Sequence, residues 1–558
     1  MQTSHALLLL VLASSIAACS KRPEDPTKPK NAAIGVDSQA TARATLQTEA
    51  TSAPVDRHDD GIAWRRGDVD AAFAEARAAN KPVFLYWGAT WCPPCNQVKA
   101  TLFNKREFIE RTQFFVPVYV DGDTAAAQKL GTRFSVSGYP TMVLFKSDGT
   151  EITRLPGEAD AERYLQMLAL GMDATRPVRE TLKTAMSDGK GLTADDWRML
   201  AWYSWDTDDQ QLVPTAQLPA TLKTLAAHCP AGYADARTRL ALKTAAAAWD
   251  AKNKSIASSK AVRAEVETVL ASPKSARENF DMLTNAMPEI VRATTTPASP
   301  ERAKLVADAD RALAQLAADA TLSNTDRLGA TIARVQLASI DAKPAVDDDK
   351  AAPSAIPVAL RDQARAEVAR ADRESKDPYE RQTVINAAAY LLTSAGLIEE
   401  SDLLLTAELS RSHSPYYFML DLASNAKKRG DKTAAIAWYA KAYNAAKGPA
   451  TRLQWGATYV TALIDLSPDD AARIERAATQ VIDEVEPAPA SFDGRNRKSL
   501  SRMASKIATW NAKGGHLSEA ARIVERSRAL CQRVPADAPE HARCGELLRV
   551  AGASGKAA

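Results

Sequence analysis

Cys92 and Cys95 stand three residues apart in the stretch Trp91-Cys92-Pro93-Pro94-Cys95. On a helix that spacing sets two thiols facing each other over one turn, near enough to close a small disulfide ring. Such a pair exchanges its disulfide for two thiols and so passes electrons to or from a disulfide elsewhere. A permanent disulfide and half of a zinc site are the other readings of the pair. No second ligand pair with suitable spacing accompanies it, which speaks against a metal. The 558 residues contain no Gly-rich phosphate loop, no convincing acid pair and no nucleophile–His arrangement, so no cofactor is expected.

The elements that must position the pair surround it. The apolar run Pro82-Val83-Phe84-Leu85-Tyr86-Trp87 reads as a buried strand ending just before the cysteines, and a helix through Val98 and Leu102 follows them. Upstream, Asp68 can cap a helix through Val69, Phe73, Ala76 and Arg77 to Asn80. Downstream, Phe114 to Val120 reads as a second buried strand and Asp123 to Phe134 as a short helix. Thr141 to Phe145 and Glu151 to Leu155 flank Ser147-Asp148-Gly149, a hairpin signal. Glu158 to Leu170 closes the unit as an amphipathic helix.

This ordered set resembles the thioredoxin superfamily, and within it the C-terminal domain of the bacterial membrane thiol–disulfide reductases. The matching features are the W-C-x-x-C stretch at 91–95, Val120-Asp121 ending the second strand, Ser137-Gly138-Tyr139-Pro140-Thr141 before the third, and Asp148-Gly149 in the hairpin. The resemblance covers residues 61–172 and implies an α/β domain, a central mixed sheet flanked by helices. It also implies that Pro140 is cis and lies against the cysteines. Cys92, at a helix N-terminus and the more exposed of the two, is expected to be the attacking thiol, with Cys95 resolving the mixed disulfide. Trp91 would border the site, and Tyr139 and Pro140 would shape the groove for substrate backbone. Pro93 and Pro94 lack N–H groups that could support a thiolate, which points to a reductase or isomerase rather than a strong oxidant. Two positions depart from the family: Tyr86 stands where thioredoxins bury an Asp, and Pro117 where they carry its Lys partner.

The N-terminus reads as an address. Ala6 to Ala18 is apolar apart from Ser14 and Ser15, too short to span a bilayer and of signal-peptide length. Ile16-Ala17-Ala18-Cys19 resembles a bacterial lipobox, which implies cleavage before Cys19 and lipid attachment to it. Met1 to His5 carries no Lys or Arg, and a plain signal peptide with a chance cysteine is the other reading. Residues 20–60, rich in Pro, Lys, Thr, Ala and Asp, read as a flexible tether. Together these place the protein on the periplasmic side of a bacterial membrane, with Ser20 favouring the outer membrane. A net charge of +3 with no basic aromatic tract gives no reason to expect nucleic acid.

Beyond residue 172 the strand signals stop and helical spacing of Ala and Leu recurs, so a large all-α helical-repeat region is expected. Breaks near Thr294 to Pro300 and Lys343 to Pro357 divide it into 173–357 and 358–558. Gly396 and Gly430 lie 34 apart, as do Pro415 and Pro449, and Leu422, Ala423, Ala426, Ala435, Ile436, Tyr439 and Ala442 resemble a tetratricopeptide repeat over 381–449. Lys513-Gly514-Gly515 followed by Ala520 and Ile523 suggests another helical hairpin. Such solenoids commonly hold a peptide or protein on their concave face, although stacking for stability alone fits equally well. Trp197, Trp202, Tyr203 and Trp205 read as core. Cys531 and Cys544 could pair, leaving Cys229 buried and free; His541 beside Cys544 is a weak metal signal. Expected partners are protein thiols or disulfides, an upstream thiol donor or acceptor, and the membrane through the lipid. The rival reading is a non-enzymatic helical scaffold or chaperone-like binder carrying a vestigial redox domain.

Overall fold

The computed structural model describes residues 55–57, 61–136, 138–157, 160–250, 260–342, 356–512 and 515–552. The signal segment with Cys19, most of the 20–60 range, Ser137, Glu158, the break at 343–355 and Lys513-Gly514 lie outside the described residues.

Six strands form one mixed sheet: β1 (Val55–Arg57), β2 (Ala63–Arg66), β3 (Val83–Gly88), β4 (Val116–Asp121), β5 (Thr141–Phe145) and β6 (Glu151–Leu155), in the spatial order β1-β2-β4-β3-β5-β6. Strand β3 is central, parallel to β4 and antiparallel to β5, with Leu85 opposite Val118 on one side and Val143 on the other. A strand covered on both faces needs apolar side chains at every position, which is why 83–87 reads as an unbroken apolar run. Its residues divide by the period of two. Phe84 and Tyr86 enter one core with Phe103 and Phe108, while Val83, Leu85 and Trp87 enter the other with Phe73 and Phe145.

Five helices flank the sheet: α1 (Val69–Ala79), α2 (Pro93–Val98), α3 (Arg106–Arg111), α4 (Ala125–Arg133) and α5 (Ala161–Met172). Asp68 caps α1 by accepting the Ala71 N–H at 2.9 Å, and Asn80 ends it in the left-handed region at φ 49°. Helix α2 widens into a π turn over Lys99–Phe103. Asp160 caps α5 three residues into the range expected from Glu158.

Strands β1 and β2 are additions to the expected order, and β1 falls within the range read as tether. They are three and four residues long, too short to show a period in the sequence. Phe114, expected in a strand, is 56% exposed in a single 3₁₀ turn, and the strand begins at Val116.

After Met172 every element is helical among the described residues apart from an isolated bridge between Val136 and Asp208. The helices Val178–Ser187, Ala194–Trp202 and Leu218–His228 extend the core on the Tyr86 side of the sheet. Trp197, Trp202, Tyr203 and Trp205 are buried there, as expected. Arg154 of β6 is fully buried at this junction and donates to the backbone oxygens of Phe134, Ser135 and Thr207. Further along, Gly396 and Gly430 both adopt positive φ (78° and 77°), and Pro415 and Pro449 both open helices, Pro415–Lys428 and Pro449–Leu466. The 34-residue spacing therefore marks equivalent turns. No described helix is long and apolar enough to cross a membrane.

Candidate active site

Strand β3 ends at Gly88, and Ala89, Thr90 and Trp91 carry the chain to Cys92, which caps α2. The two cysteines are disulfide-bonded with Cα atoms 5.2 Å apart. Cys92 Sγ accepts the Cys95 N–H at 3.3 Å, while Pro93 and Pro94 open the helix without donors. The Asn96 side-chain amide donates to the carbonyls of Thr90 (2.9 Å) and Cys92 (3.0 Å), pinning the loop onto the first helical turn. The Tyr139–Pro140 peptide is cis. The Tyr139 hydroxyl donates to the Gly122 carbonyl at 3.2 Å, and its ring lies 6.2 Å from that of Trp91.

As expected, Cys92 is the more exposed of the two cysteines, but the margin is small and both are buried. Cys92 is 3% exposed, Cys95 0% and Trp91 8%, because the helical region covers this end of the sheet. The Trp91 indole stacks on Tyr417 at 5.8 Å between centroids and meets Trp455 edge-on at 5.1 Å. Trp455 is held in turn by its Nε1–H, which donates to the Tyr416 carbonyl at 3.3 Å. The Arg495 guanidinium lies 4.4 Å from the Trp91 ring and 5.3 Å from that of Tyr139. These residues come from three helices, Pro415–Lys428, Pro449–Leu466 and Gly494–Trp510.

Hydrogen bonds seal the rim of the contact. A ring N–H of His413 donates to the Thr90 carbonyl at 2.9 Å; burial lowers the imidazole pKa and so favours the neutral ring. Asp123, just beyond β4, accepts both the Thr451 N–H at 2.8 Å and the Thr451 hydroxyl. Burial raises its carboxyl pKa, against the lowering effect of Thr451 and of the positive charge on Arg495. Gln128 of α4 donates to the Gly122 carbonyl at 2.7 Å, and its Oε1 accepts the backbone N–H groups of Arg495 and Asn496 at 3.0 and 3.3 Å. The Gln97 amide donates to Asp326 at 2.5 Å from a helix in the middle of the chain.

Of the expected site residues, Trp91, Cys92 and Cys95 share one cluster with Tyr139 packed against it, and Pro140 follows Tyr139 across the cis peptide. Sequence reasoning missed His413, Tyr417, Thr451, Trp455 and Arg495. The aromatic group Tyr416-Tyr417-Phe418 after Pro415 was the one available signal, and it reads equally well as repeat core. Tyr86 is fully buried with its pKa raised far above the ordinary tyrosine value by desolvation, so it stays neutral and takes no proton as a carboxylate would. Pro117 sits opposite Phe84 in β4.

Of the other cysteines, Cys531 and Cys544 belong to the same hydrophobic cluster as the redox pair, and Cys229 to the core on the Tyr86 side of the sheet. Cys531 and Cys544 are disulfide-bonded with Cα atoms 5.6 Å apart. Cys229 is buried and free, and desolvation pushes its thiol up to about 12. His541 pairs through a ring nitrogen with the Val534 carbonyl at 3.0 Å, and no group of three metal-type ligands occurs among the described residues.

Residues 69–171 match the family described as a thioredoxin-like domain. The thioredoxin of Mycobacterium bovis is 34% identical over 102 residues, which are 18% of this chain and 84% of that protein. The thiol:disulfide interchange protein DsbD of Pseudomonas fluorescens is 31% identical over 103 residues, 18% of this chain and 18% of that protein. The match thus spans under a fifth of the DsbD relative's length. A solved DsbH oxidoreductase aligns with 24% of this chain and 96% of its own, at 18% identity and a TM-score of 0.19.

Proposed function

We propose, from the premise that this chain belongs to the thioredoxin-like family through residues 69–171, that it exchanges disulfides of protein substrates with Cys92 as the attacking thiol. A thiol–disulfide oxidoreductase needs two cysteines that interconvert between a short ring and two thiols at the end of a rigid strand. The observation that carries the reading is the Cys92–Cys95 disulfide where β3 meets α2, together with the cis Tyr139–Pro140 peptide just before β5. Trp91, Tyr139 and Pro140 would contact the substrate chain. The two prolines withhold backbone donors from a thiolate, which favours the reductase or isomerase direction.

The finer parts of the reading rest on sequence. The 6–19 segment supports a lipoprotein attached through Cys19 and facing the periplasm, with the outer membrane favoured by Ser20. An upstream dithiol would then recharge the pair. The 34-residue repeats support a solenoid of the tetratricopeptide kind over 381–449, and its helices would govern which partners reach Cys92.

Reduction of insulin disulfides by the soluble form, with dithiothreitol as electron source, tests the activity. The parent should accelerate insulin precipitation, and Cys92→Ser should abolish the effect. A Cys92→Ser protein as active as the parent would end the enzyme reading. The burial of Cys92 favours one second reading, a helical scaffold in which the domain serves as a structural plug; a parent protein that reduces neither insulin nor a small aromatic disulfide would support it.

A further inference from the structure

The CPPC stretch leaves a thiolate at Cys92 poorly supported from within its own domain. Cys95 offers one N–H, Pro93 and Pro94 offer none, and a residue that is 3% exposed meets little water. A buried anion in that position needs a positive or donating neighbour. Within the described contacts the thioredoxin-like domain supplies only the Cys95 N–H and no positive charge, and the helical region brings a guanidinium to the neighbouring residue.

Arg495 lies with its guanidinium 4.4 Å from the ring of Trp91, the residue before Cys92. Both of its terminal nitrogens are buried with no hydrogen-bond partner, and so is Trp91 Nε1. Three donor nitrogens are thus buried without an acceptor, two of them on a guanidinium lying over the ring of the residue that precedes Cys92, an arrangement that is costly for a charged group. The placement is built in, because Gln128 Oε1 holds the backbone N–H groups of Arg495 and Asn496. Reduction of the disulfide creates the missing acceptor on the residue next to Trp91. We propose that Arg495 is the counter-ion of the Cys92 thiolate, contributed across the domain interface by the helical region. The proposal rests on the reading of Cys92 as the reacting thiol.

The other charged and titratable groups around Arg495 leave it available. Asp121 ends β4 and Asp123 lies just beyond it, committed to Thr451; the positive charge of Arg495 acts on Asp123 directly. Tyr139 precedes β5 and gives its hydroxyl to Gly122. On the helical side are His413, Tyr416, Tyr417 and Asp421, with His413 and both tyrosines held toward their neutral forms by burial.

In the exchange itself, a dithiol reductant delivers two electrons and two protons to the Cys92–Cys95 disulfide. Cys92 then loses its proton to solvent and Arg495 balances the charge. The Cys92 sulfur attacks a substrate disulfide, forming one S–S bond and expelling a substrate thiolate that takes up a proton. Cys95, losing its own proton, attacks Cys92 and frees the second substrate sulfur, so two electrons end on the substrate. A stabilised thiolate favours the reduced pair and makes it a weaker reductant. The helical region would therefore set the strength of the pair, offsetting what the two prolines remove.

The test measures alkylation of Cys92 by iodoacetamide against pH in the reduced full chain, read by mass spectrometry. Arg495→Gln should raise the midpoint and lower the rate near pH 6 about tenfold, the size expected for one charge at close range in a partly buried site. The equilibrium constant for reduction by glutathione should fall by about the same factor, some 30 mV. Arg495→Lys should stay within about threefold of the parent. Asp123→Asn, which removes the competing anion, should move the midpoint the opposite way and covers the case in which Arg495→Gln does not fold. A midpoint unmoved by Arg495→Gln, with only the high-pH plateau raised, would mean that Arg495 merely holds the helices shut and would overturn the proposal, as would an unmoved midpoint in Asp123→Asn. Because the readout is alkylation, a parent that exchanges no substrate disulfide would count against the enzyme reading and not against this one.

Discussion

The Trp91 indole and the Tyr417 ring lie nearly parallel, 17° between planes and 5.8 Å between centroids, so the aromatic border of the redox site is covered by a residue of the helical region. The two enter one hydrophobic cluster with Cys92, Cys95 and Trp455. A substrate chain lying along Tyr139-Pro140 would need the space that these rings occupy. On the proposed reading, the helices would compete with substrate for the same face.

Trp455 is the centre of that cover, 2% exposed and in ring contact with Trp91, Tyr416 and Tyr417. Trp455→Ala should destabilise the chain by about 4 kcal/mol, the usual cost of deleting a buried tryptophan. It should also expose Cys92. Urea unfolding measures the first effect. Alkylation of the reduced protein at fixed pH measures the second, where a faster plateau rate is expected. An unchanged plateau would show that the helices do not limit access.

Asp326 gives the contact a pH dependence. It is buried at the start of the helix Asn324–Ala338, accepts the Gln97 amide and the Ser323 N–H, and desolvation raises its pKa to about 6. An acid whose folded pKa is raised binds its proton more tightly folded than unfolded. Its contribution to stability therefore grows as pH falls through about 6 towards the unfolded value and is lost as pH rises through that window. Relative to Asp326→Asn, the parent should gain about 2 kcal/mol between pH 7 and pH 4, less than the full 1.36 kcal/mol per pH unit because the unfolded carboxyl is itself about half protonated at pH 4. Paired urea titrations at the two pH values read this difference, and a constant gap between the proteins would contradict it.

The Cys531–Cys544 disulfide joins the helices Leu517–Gln532 and Pro539–Gly552, with both cysteines buried. Closing a loop of 13 residues stabilises by about 3 kcal/mol in the chain-entropy account. The double variant Cys531→Ser, Cys544→Ser should lose about that much in denaturant while the alkylation midpoint of Cys92 stays where it is. A shifted midpoint would mean that the C-terminal hairpin, through Arg543 and its ion pair with Asp493 just before Arg495, sets the electrostatics of the redox site.

The sequence alone determined the redox pair and the elements that carry it. Strand β3, the Cys92 cap, Pro93 and the start of α2 lie within about a dozen residues, and short-range rules of burial, capping and helical spacing act over that distance. The cap at Asp68, the hairpin at Asp148-Gly149 and the burial of Trp197 and Tyr203 were legible for the same reason. Strands β1 and β2 were not, because three or four residues carry no period and their pairing is decided by register with β4. The cover over the site was decided by tertiary structure alone. Tyr417, Trp455 and Arg495 lie more than 300 residues from Trp91, and their helix faces read as repeat packing until the chain returns to the end of the sheet. Local patterns say which side chains must be buried, and only the closed fold says against what. Here that distinction left Cys92 the more exposed of its pair and yet held beneath the protein's own helices.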